Sequence, residues 1–159
     1  MDSSHIVRSQ VRMVIKSMKT LISEAIVAKL NEIPQIRYVA FDKVRLLASD
    51  FKDVEIPAIQ LIDIRLDHEH QAPRSKKFWQ IALELLLKGN QYHEISQQDL
   101  WNLEYEVLRK LFERPNFGIR GMIHIKYLGS STDLHLLEPY YFSRMDFEVQ
   151  FYEDLIGQC

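Results

Sequence analysis

Two short segments of the sequence carry residues that could do chemistry. His68-Glu69-His70 brings two imidazoles and a carboxylate together, and in an extended segment the two histidines would point to the same side. These groups could bind a metal ion, but no second pair of ligands is obvious, and a charged polar loop explains them equally well. Glu84 and Lys88 would share a strand face, but they lie four positions apart, which is the wrong spacing for a nuclease of the Asp…Glu-x-Lys type. We therefore predict no metal site and no cofactor.

Other catalytic signatures are missing from the sequence. There is no glycine-rich phosphate loop, no Gly-x-Ser-x-Gly elbow and no Cys-His pattern near Cys159, the only cysteine. The formal net charge of -2, from 20 basic and 22 acidic residues, argues against a general nucleic-acid-binding or membrane-surface protein. No apolar run reaches the roughly 20 residues that cross a bilayer. These observations predict a protein that is not an enzyme and has no membrane partner.

The elements that would position these residues follow from hydrophobic periodicity. Apolar residues at steps of three and four predict one long helix over residues 4–31 and a second helix that starts at Ser96. The stripe that this second helix is predicted to bury is Leu100, Leu103, Val107, Leu108 and Leu111. Alternating segments predict strands over 56–66, 78–87, 122–128 and 145–151, and the polar stretch 67–77 predicts a long exposed loop. This order predicts a single α+β domain over residues 1–159, with helices packed on one face of a mostly antiparallel sheet.

The strands are predicted to have one apolar and one polar face. The residues expected to meet the helices are Trp79, Ile81, Leu83, Leu85, Phe147, Val149 and Phe151, together with Ile62, Ile64 and Leu66. Those expected on the open face are Asp63, Gln80, Glu84, Asp146, Glu148 and Gln150. Antiparallel sheets commonly expose a polar side to water, which accounts for the alternation. The middle of this face is expected to hold acidic and amide side chains without basic ones.

The first predicted helix also carries a basic stripe. Arg8, Arg12, Lys16 and Lys19 recur at steps of three and four. Such a stripe is either a solvated helix face or a contact with an acidic partner surface, and the sequence leaves both interpretations open.

In this order of elements the chain resembles the tail terminator (tail completion) proteins of long-tailed double-stranded DNA bacteriophages. The resemblance covers most of the chain and is one of pattern. It rests on the long opening helix, on the strands around 57–61 and 78–83 followed by the helix 100–112, and on Glu138-Pro139-Tyr140-Tyr141-Phe142 before the last alternating strand.

The resemblance implies a structural protein of the virion, assembled in the host cytoplasm. Such proteins form a homo-hexameric ring on the tail tube protein, end tube polymerisation and present a surface to the head connector. DNA passes through the ring without specific binding. The resemblance thus implies that Asp63, Glu84, Asp146 and Glu148 face the channel, since like charge keeps a polyanion off the wall.

The predicted loop is basic at its end and would attract DNA if it reached the channel, so we expect it at an assembly interface. The residues predicted for that interface are His68, His70, Arg74, Lys76 and Lys77, with Arg8 and Arg12 from the basic stripe. Two alternatives remain at this point. One is another head–tail joining or neck protein, and the other is a monomeric protein-binding module whose open sheet face takes a basic partner.

Overall fold

The computed structural model describes residues 16–42, 45, 50–71, 74–89, 97–133 and 140–154. These residues form one α+β domain, as predicted. The helices are α1 (Met18–Leu30) and α2 (Gln97–Phe112), and a single 3-10 turn spans Asp53–Glu55. The strands are β1 (Tyr38–Ala40), β2 (Ala58–Gln71), β3 (Arg74–Lys88), β4 (Met122–Asp133) and β5 (Tyr140–Asp154).

The five strands make one sheet in the order β1-β2-β3-β5-β4. The short β1 runs parallel to β2, and every other neighbouring pair is antiparallel. Strand β3 lies in the centre and pairs from Arg74 to Lys88 with β5 on one side, and over nearly the same length with β2 on the other. The alternating strand that ends the chain is therefore an inner strand of the sheet and not an edge.

Helix α1 is shorter than predicted. Ser17 has an extended backbone with ψ of 158°, and its hydroxyl accepts a hydrogen bond from the amide of Thr20 at 3.1 Å. A serine that caps a helix in this way cannot also lie inside it, so one continuous helix over 4–31 is wrong at this point. Residues 1–15 lie outside the described residues, as does the predicted cap Ser96.

Both helices pack on the same face of the sheet, which confirms the predicted arrangement. Helix α1 contributes Ile22, Ile26 and Leu30, which are fully buried. Of the five residues predicted for the stripe of helix α2, Leu100, Leu103, Val107 and Leu111 are buried, and Leu108 is partly buried against the same core. They meet the alternate positions of the two inner strands, which are Trp79, Ile81, Leu83, Leu85, Met145, Phe147, Val149 and Phe151. The strict alternation in β5 thus marks the centre of the main core.

The predicted loop over residues 67–77 is wrong, because most of it is strand. Positions 67–71 of β2 pair with positions 78–74 of β3, and only residues 72 and 73 at the tip lie outside the description. Ladder formation needs backbone partners and not apolar side chains. Residues 67–69 form an exposed hairpin arm that no helix covers. Neither side of the arm has to be apolar, so the sequence lacks the apolar–polar alternation by which a strand is recognised.

The face opposite the helices, called the second face below, is not fully open. At one end Ala58 and Leu86, which are cross-strand neighbours, are buried together with Ala40, Phe51 and Ile56. Tyr140 and Phe142 pack against this smaller cluster, while Tyr141 points to the main core. The aromatic run before the last strand is therefore divided between two cores and does not form an exposed patch.

Candidate functional site

Three of the four acidic residues predicted to face a channel share the second face. Glu84 lies opposite Arg144, Asp146 lies opposite Ala82, and Glu148 lies opposite Gln80. All of them are on the sides of β3 and β5 turned away from the helices, because the core residues Leu83, Met145, Phe147 and Val149 alternate with them. Each is half-buried. The alternating pattern was sufficient to place these three side chains correctly.

The expectation that this face lacks basic residues is wrong. Arg144 sits among the three carboxylates and donates from Nε to Oδ1 of Asp146 at 3.0 Å. Lys126 of β4 is exposed and lies opposite Glu148. The strand predicted over 145–151 begins one residue after Arg144, whereas β5 begins at Tyr140 and includes it, and Lys126 comes from the neighbouring strand. The second face is therefore a mixed surface that carries both acidic and basic groups.

Asp63, the fourth predicted residue, lies on the helix side of the sheet. Its carboxylate accepts a hydrogen bond from Nε1 of Trp79 at 2.8 Å and another from Nζ of Lys19 in α1 at 2.9 Å. Partial burial works to raise the pKa of Asp63, but these two hydrogen bonds outweigh it and the pKa is lowered. Asp63 ties the first helix to the sheet, which contradicts its assignment to the open face.

A register shift between Asp63 and Arg65 explains the misplacement. The extra residue, Ile64, reverses the alternation, so that the face of each position changes at this point of β2. Before the shift Ile62 lies on the second face; after it Leu66 is a neighbour of Trp79 on the helix side. A bulge of this kind leaves no clear mark in a single sequence, so the three isoleucine and leucine residues 62, 64 and 66 seemed to share one face.

The covered end of the second face is organised by Arg45. Its guanidinium carbon lies 4.7 Å from the ring centroid of Tyr38 and 4.9 Å from that of Phe51, and Nη1 donates to Oε1 of Glu55 at 2.8 Å. The hydrogen bond from Arg45 lowers the pKa of Glu55. Gln60, which is buried, accepts from the backbone amide of Arg45 at 2.6 Å and donates to its carbonyl at 3.0 Å. The segment before β2 is thus fastened to the sheet, an arrangement that the sequence analysis missed.

The basic residues predicted for an assembly interface do not form one patch. Successive strand residues point to opposite faces, so Lys76 belongs to the second face and Lys77, opposite Phe151 and His68, to the helix side. Lys76 lies opposite Glu69, and its ammonium is 5.2 Å from the ring centroid of Phe78. His70 and Arg74 belong to the paired backbone of the hairpin. Arg8 and Arg12 lie outside the described residues.

A cleft of about 620 Å³ lies at the end of the sheet where β3 finishes. Arg37 and Lys88 bring positive charge to it, and Asp99 and Asn102 of α2 line the other side. Nζ of Lys88 donates to Oδ1 of Asp53 at 2.7 Å, which raises the pKa of Lys88.

Among the described residues no group of three or more potential metal ligands occurs. None of the helices described is long and apolar enough to cross a membrane.

Helix α2 carries an apolar stripe on its outer side. Trp101, Tyr105 and Phe112 are 56%, 64% and 36% exposed, whereas Leu108 between the last two is partly buried and packs against the main core. Tryptophan and tyrosine are enriched where proteins meet each other. This surface points away from the sheet, because the buried stripe of the same helix faces the core.

Comparison with known proteins shows a similarity of fold to solved structures. No protein-family model matches the sequence, and no curated protein matches it significantly. Among solved structures, the chain resembles a protein chain in the virion of a native gene transfer agent (GTA) particle. The two chains are 10% identical, with a TM-score of 0.55 over 85% of this chain and 90% of the other. The chain has the fold of a virion component.

This likeness spans most of both chains. The surfaces that remain for partners are the uncovered part of the second face, the outer stripe of α2 and the two edges of the sheet. On these surfaces Asp146 and Glu148 accept hydrogen bonds from Arg144 and Gln150, and Asp63 of β2 accepts from Lys19 and Trp79.

Proposed function

We propose that this protein is a structural component of a phage-type virion, of the tail terminator kind. In this role it forms a hexameric ring that caps the tail tube, ends polymerisation of the tube protein and joins the tail to the head connector. The observation that carries the proposal is the fold shared with a chain of a gene transfer agent virion along nearly the full length of both proteins.

The second face suits the wall of a channel. Glu84, Asp146 and Glu148 bring carboxylates to its uncovered part, while Arg144 and Lys126 lie between and beside them. Like charge weakens contact with phosphates, and the hydrogen bonds within the surface hold the carboxylates in place. A wall of this kind lets DNA pass without binding it tightly. Asp63 has no part in it, because it is fixed to Trp79 and Lys19 on the helix side.

The proposal is tested by mixing the purified chain with tail tubes and with soluble tube subunits. Electron microscopy of negatively stained samples should show a ring at one end of each tube, and capped tubes should stop growing when more subunits are added. Tubes that keep elongating in the presence of excess protein, with no added density at either end, would overturn the proposal. The ring should form on the tube even where the chain alone is monomeric in dilute solution.

Two alternatives give different outcomes in the same assay. A head–tail joining protein would bind the head connector and leave tube growth unchanged. A monomeric binding module would form no ring in either setting; the exposed stripe of Trp101 and Tyr105 is the observation that favours this reading. Sedimentation of the protein alone and with each partner therefore separates the three functions.

A further inference from the structure

The sheet ends in two strand edges that have no strand partner in the described part of the chain. Strand β1 covers β2 only at positions 58–60, which leaves residues 61–71 as the open edge of β2. At the other side, β4 pairs with β5 alone. Open edges present rows of amide and carbonyl groups that readily pair with another chain.

The open edge of β4 is limited to its second half. The amide of Ile125 donates to the carbonyl of Pro115 at 3.1 Å, so the segment before β4 closes the first half of that edge. The open edge of β4 therefore spans residues 127–133. Both open edges carry exposed apolar side chains: Ile64 and Leu66 of β2 are 39% and 38% exposed, and Leu128 of β4 is 47% exposed. Soluble proteins usually protect long edges from contact.

From these edges we infer that copies of this chain join by pairing the open edge of β2 in one subunit with the open edge of β4 in the next. The inference rests on the proposed ring and says how it is held together. Strand β4 runs antiparallel to β2, because three antiparallel steps separate them. A neighbour in the same orientation therefore meets it as an antiparallel strand, which is the favourable pairing. The contact is head-to-tail, and contacts of that type generate a ring when the rotation from one subunit to the next closes.

The positions of the two edges imply a stagger between subunits. Within one subunit, Lys126 pairs with Glu148, Glu148 with Gln80, and Gln80 with Arg65. Lys126 and Arg65 therefore lie at the same height along the strands. The open edge of β2 extends further toward the hairpin tip, so it meets the open edge of β4 only if neighbouring subunits are displaced along the strands. Residues that pair across the joint point to the same face of the combined sheet only if the displacement is an even number of positions.

The size of that stagger agrees with a closed sheet. A displacement of four to six positions at about 3.3 Å each, over the four strands β2, β3, β5 and β4 of each subunit spaced by about 4.8 Å, tilts the strands by roughly 35–45°. Strands in closed barrels are tilted by about 35–45°, so the two open edges lie where ring closure needs them.

A stagger of four positions brings complementary groups together. On the second face it places the exposed Lys126 opposite Glu69 of the neighbour, and on the helix side it places Ser130 opposite Leu66. Opposite charges across antiparallel strands stabilise the pairing. A stagger of six would place Ser130 opposite His68 instead. The residue that pairs with Ser130 therefore identifies the stagger.

Cysteine cross-linking tests the contact. In a Cys159→Ser background, the pair Leu66→Cys and Ser130→Cys, or His68→Cys and Ser130→Cys for the longer stagger, should form intersubunit disulfides in assembled rings. Opposite residues of antiparallel strands lie about 4.5–5.5 Å apart at Cα, which is within disulfide range. On denaturing gels, oxidised samples should give a ladder that ends at the ring's own copy number. The matched control is Val54→Cys with Ser130→Cys, in which Val54 is more exposed than Leu66, at 72% against 38%, but lies on the 3-10 turn and not on either edge.

The outcomes separate this contact from the ring itself, because rings are counted by electron microscopy of the reduced samples. A ladder at least about tenfold more intense than that of the control supports the pairing, since strand neighbours hold the two cysteines in fixed register. Rings without a ladder from either register pair, or with a ladder no stronger than the control's, would overturn the pairing and leave the ring function standing. A chain that forms no ring even on tail tubes would overturn both.

Discussion

The two faces of the same sheet are built from alternate residues of the same strands, yet they have different tasks. The helix side is a continuous apolar core in which Trp79, Ile81 and Leu83 are fully enclosed. The second face is closed only at the end near Arg45; further along it carries half-buried polar groups such as Glu84 and Glu148. The comparison teaches that stability resides on one side of the sheet and that the other side is available for partners.

The largest expected difference is between two adjacent residues. Leu83→Ala removes a fully buried side chain from the main core and should lower the free energy of unfolding by about 2–5 kcal/mol, through lost transfer energy and a cavity. Glu84→Gln changes the neighbouring side chain on the second face and should cost less than about 0.5 kcal/mol. Urea unfolding followed by tryptophan fluorescence gives both values. Similar losses for the two variants would contradict the division into faces.

A smaller effect is expected within the second face itself. Gln60→Ala removes the side chain that satisfies both backbone groups of Arg45 and should cost about 1–3 kcal/mol. Gln80→Ala, a half-buried glutamine on the same face, is the matched control and should be close to neutral. The same unfolding assay applies. If Gln60→Ala lowers the free energy of unfolding no more than its control does, the covered end does not contribute to stability. The covered and uncovered parts of the second face would then be equivalent in stability.

The hydrogen bonds of Asp63 predict a pH dependence of stability. Its pKa is lowered in the folded state, so its contribution is present above the unfolded value, about 3.9, and is lost as pH falls through the folded value. Because the side chain is more than half exposed, the contribution should be below about 1 kcal/mol. Asp63→Asn should thus be less stable than the unsubstituted protein near pH 6, and the difference should shrink toward pH 2.

The control for this experiment is Asp67→Asn, which removes an exposed carboxylate paired with Arg65 on the same strand. Its effect should be smaller near pH 6, because Asp67 makes no contact with α1 among the described hydrogen bonds and ion pairs. A stability difference for Asp63→Asn that grows on acidification would contradict the role of the ionised carboxylate.

The smallest effect on folding is expected from reversing the acidic groups of the second face. Glu84→Lys, Asp146→Lys and Glu148→Lys together should leave the fold and ring assembly largely intact. They should create DNA binding that weakens steeply with salt, since neutralised phosphates release counterions. Reversal of Glu24 and Glu106 on the helices and of Glu113 directly after α2 changes the charge equally and is the control. Equal DNA binding by both triple variants, or normal DNA ejection by virions that carry the first, would contradict a channel lining.

Much of the fold could be predicted because the residues that carry it lie on one element each. Helix α2 repeats its apolar side chains at helical steps, and β3 and β5 alternate across the sheet, so their buried faces follow from local periodicity. The same regularity placed Glu84, Asp146 and Glu148 together on the second face. Ser17 could in principle have been identified as a helix start, since serine is a favoured cap.

The errors concern features that depend on residues distant in sequence. Residues 67–77 were predicted to be a loop, but they are the end of β2 and the start of β3. Backbone pairing joins these two segments to each other and joins β3 to β5, and no apolar pattern marks them. Asp63 was assigned to the wrong face, because the bulge at Ile64 changes the alternation without changing the residue types. The contacts of Arg45 with Tyr38, Phe51 and Glu55 join parts of the chain that no periodicity connects.

The sequence by itself determined the class of fold, the apolar sides of its helices and inner strands, and the character of the polar side. Those properties are local, since they follow from the periods of the helix and the strand. Tertiary structure alone decided which strands are inner and which are edges, where the second face is covered, and how far the hairpin extends. These depend on which backbone groups find partners across the sheet, and that choice is made by the whole chain at once.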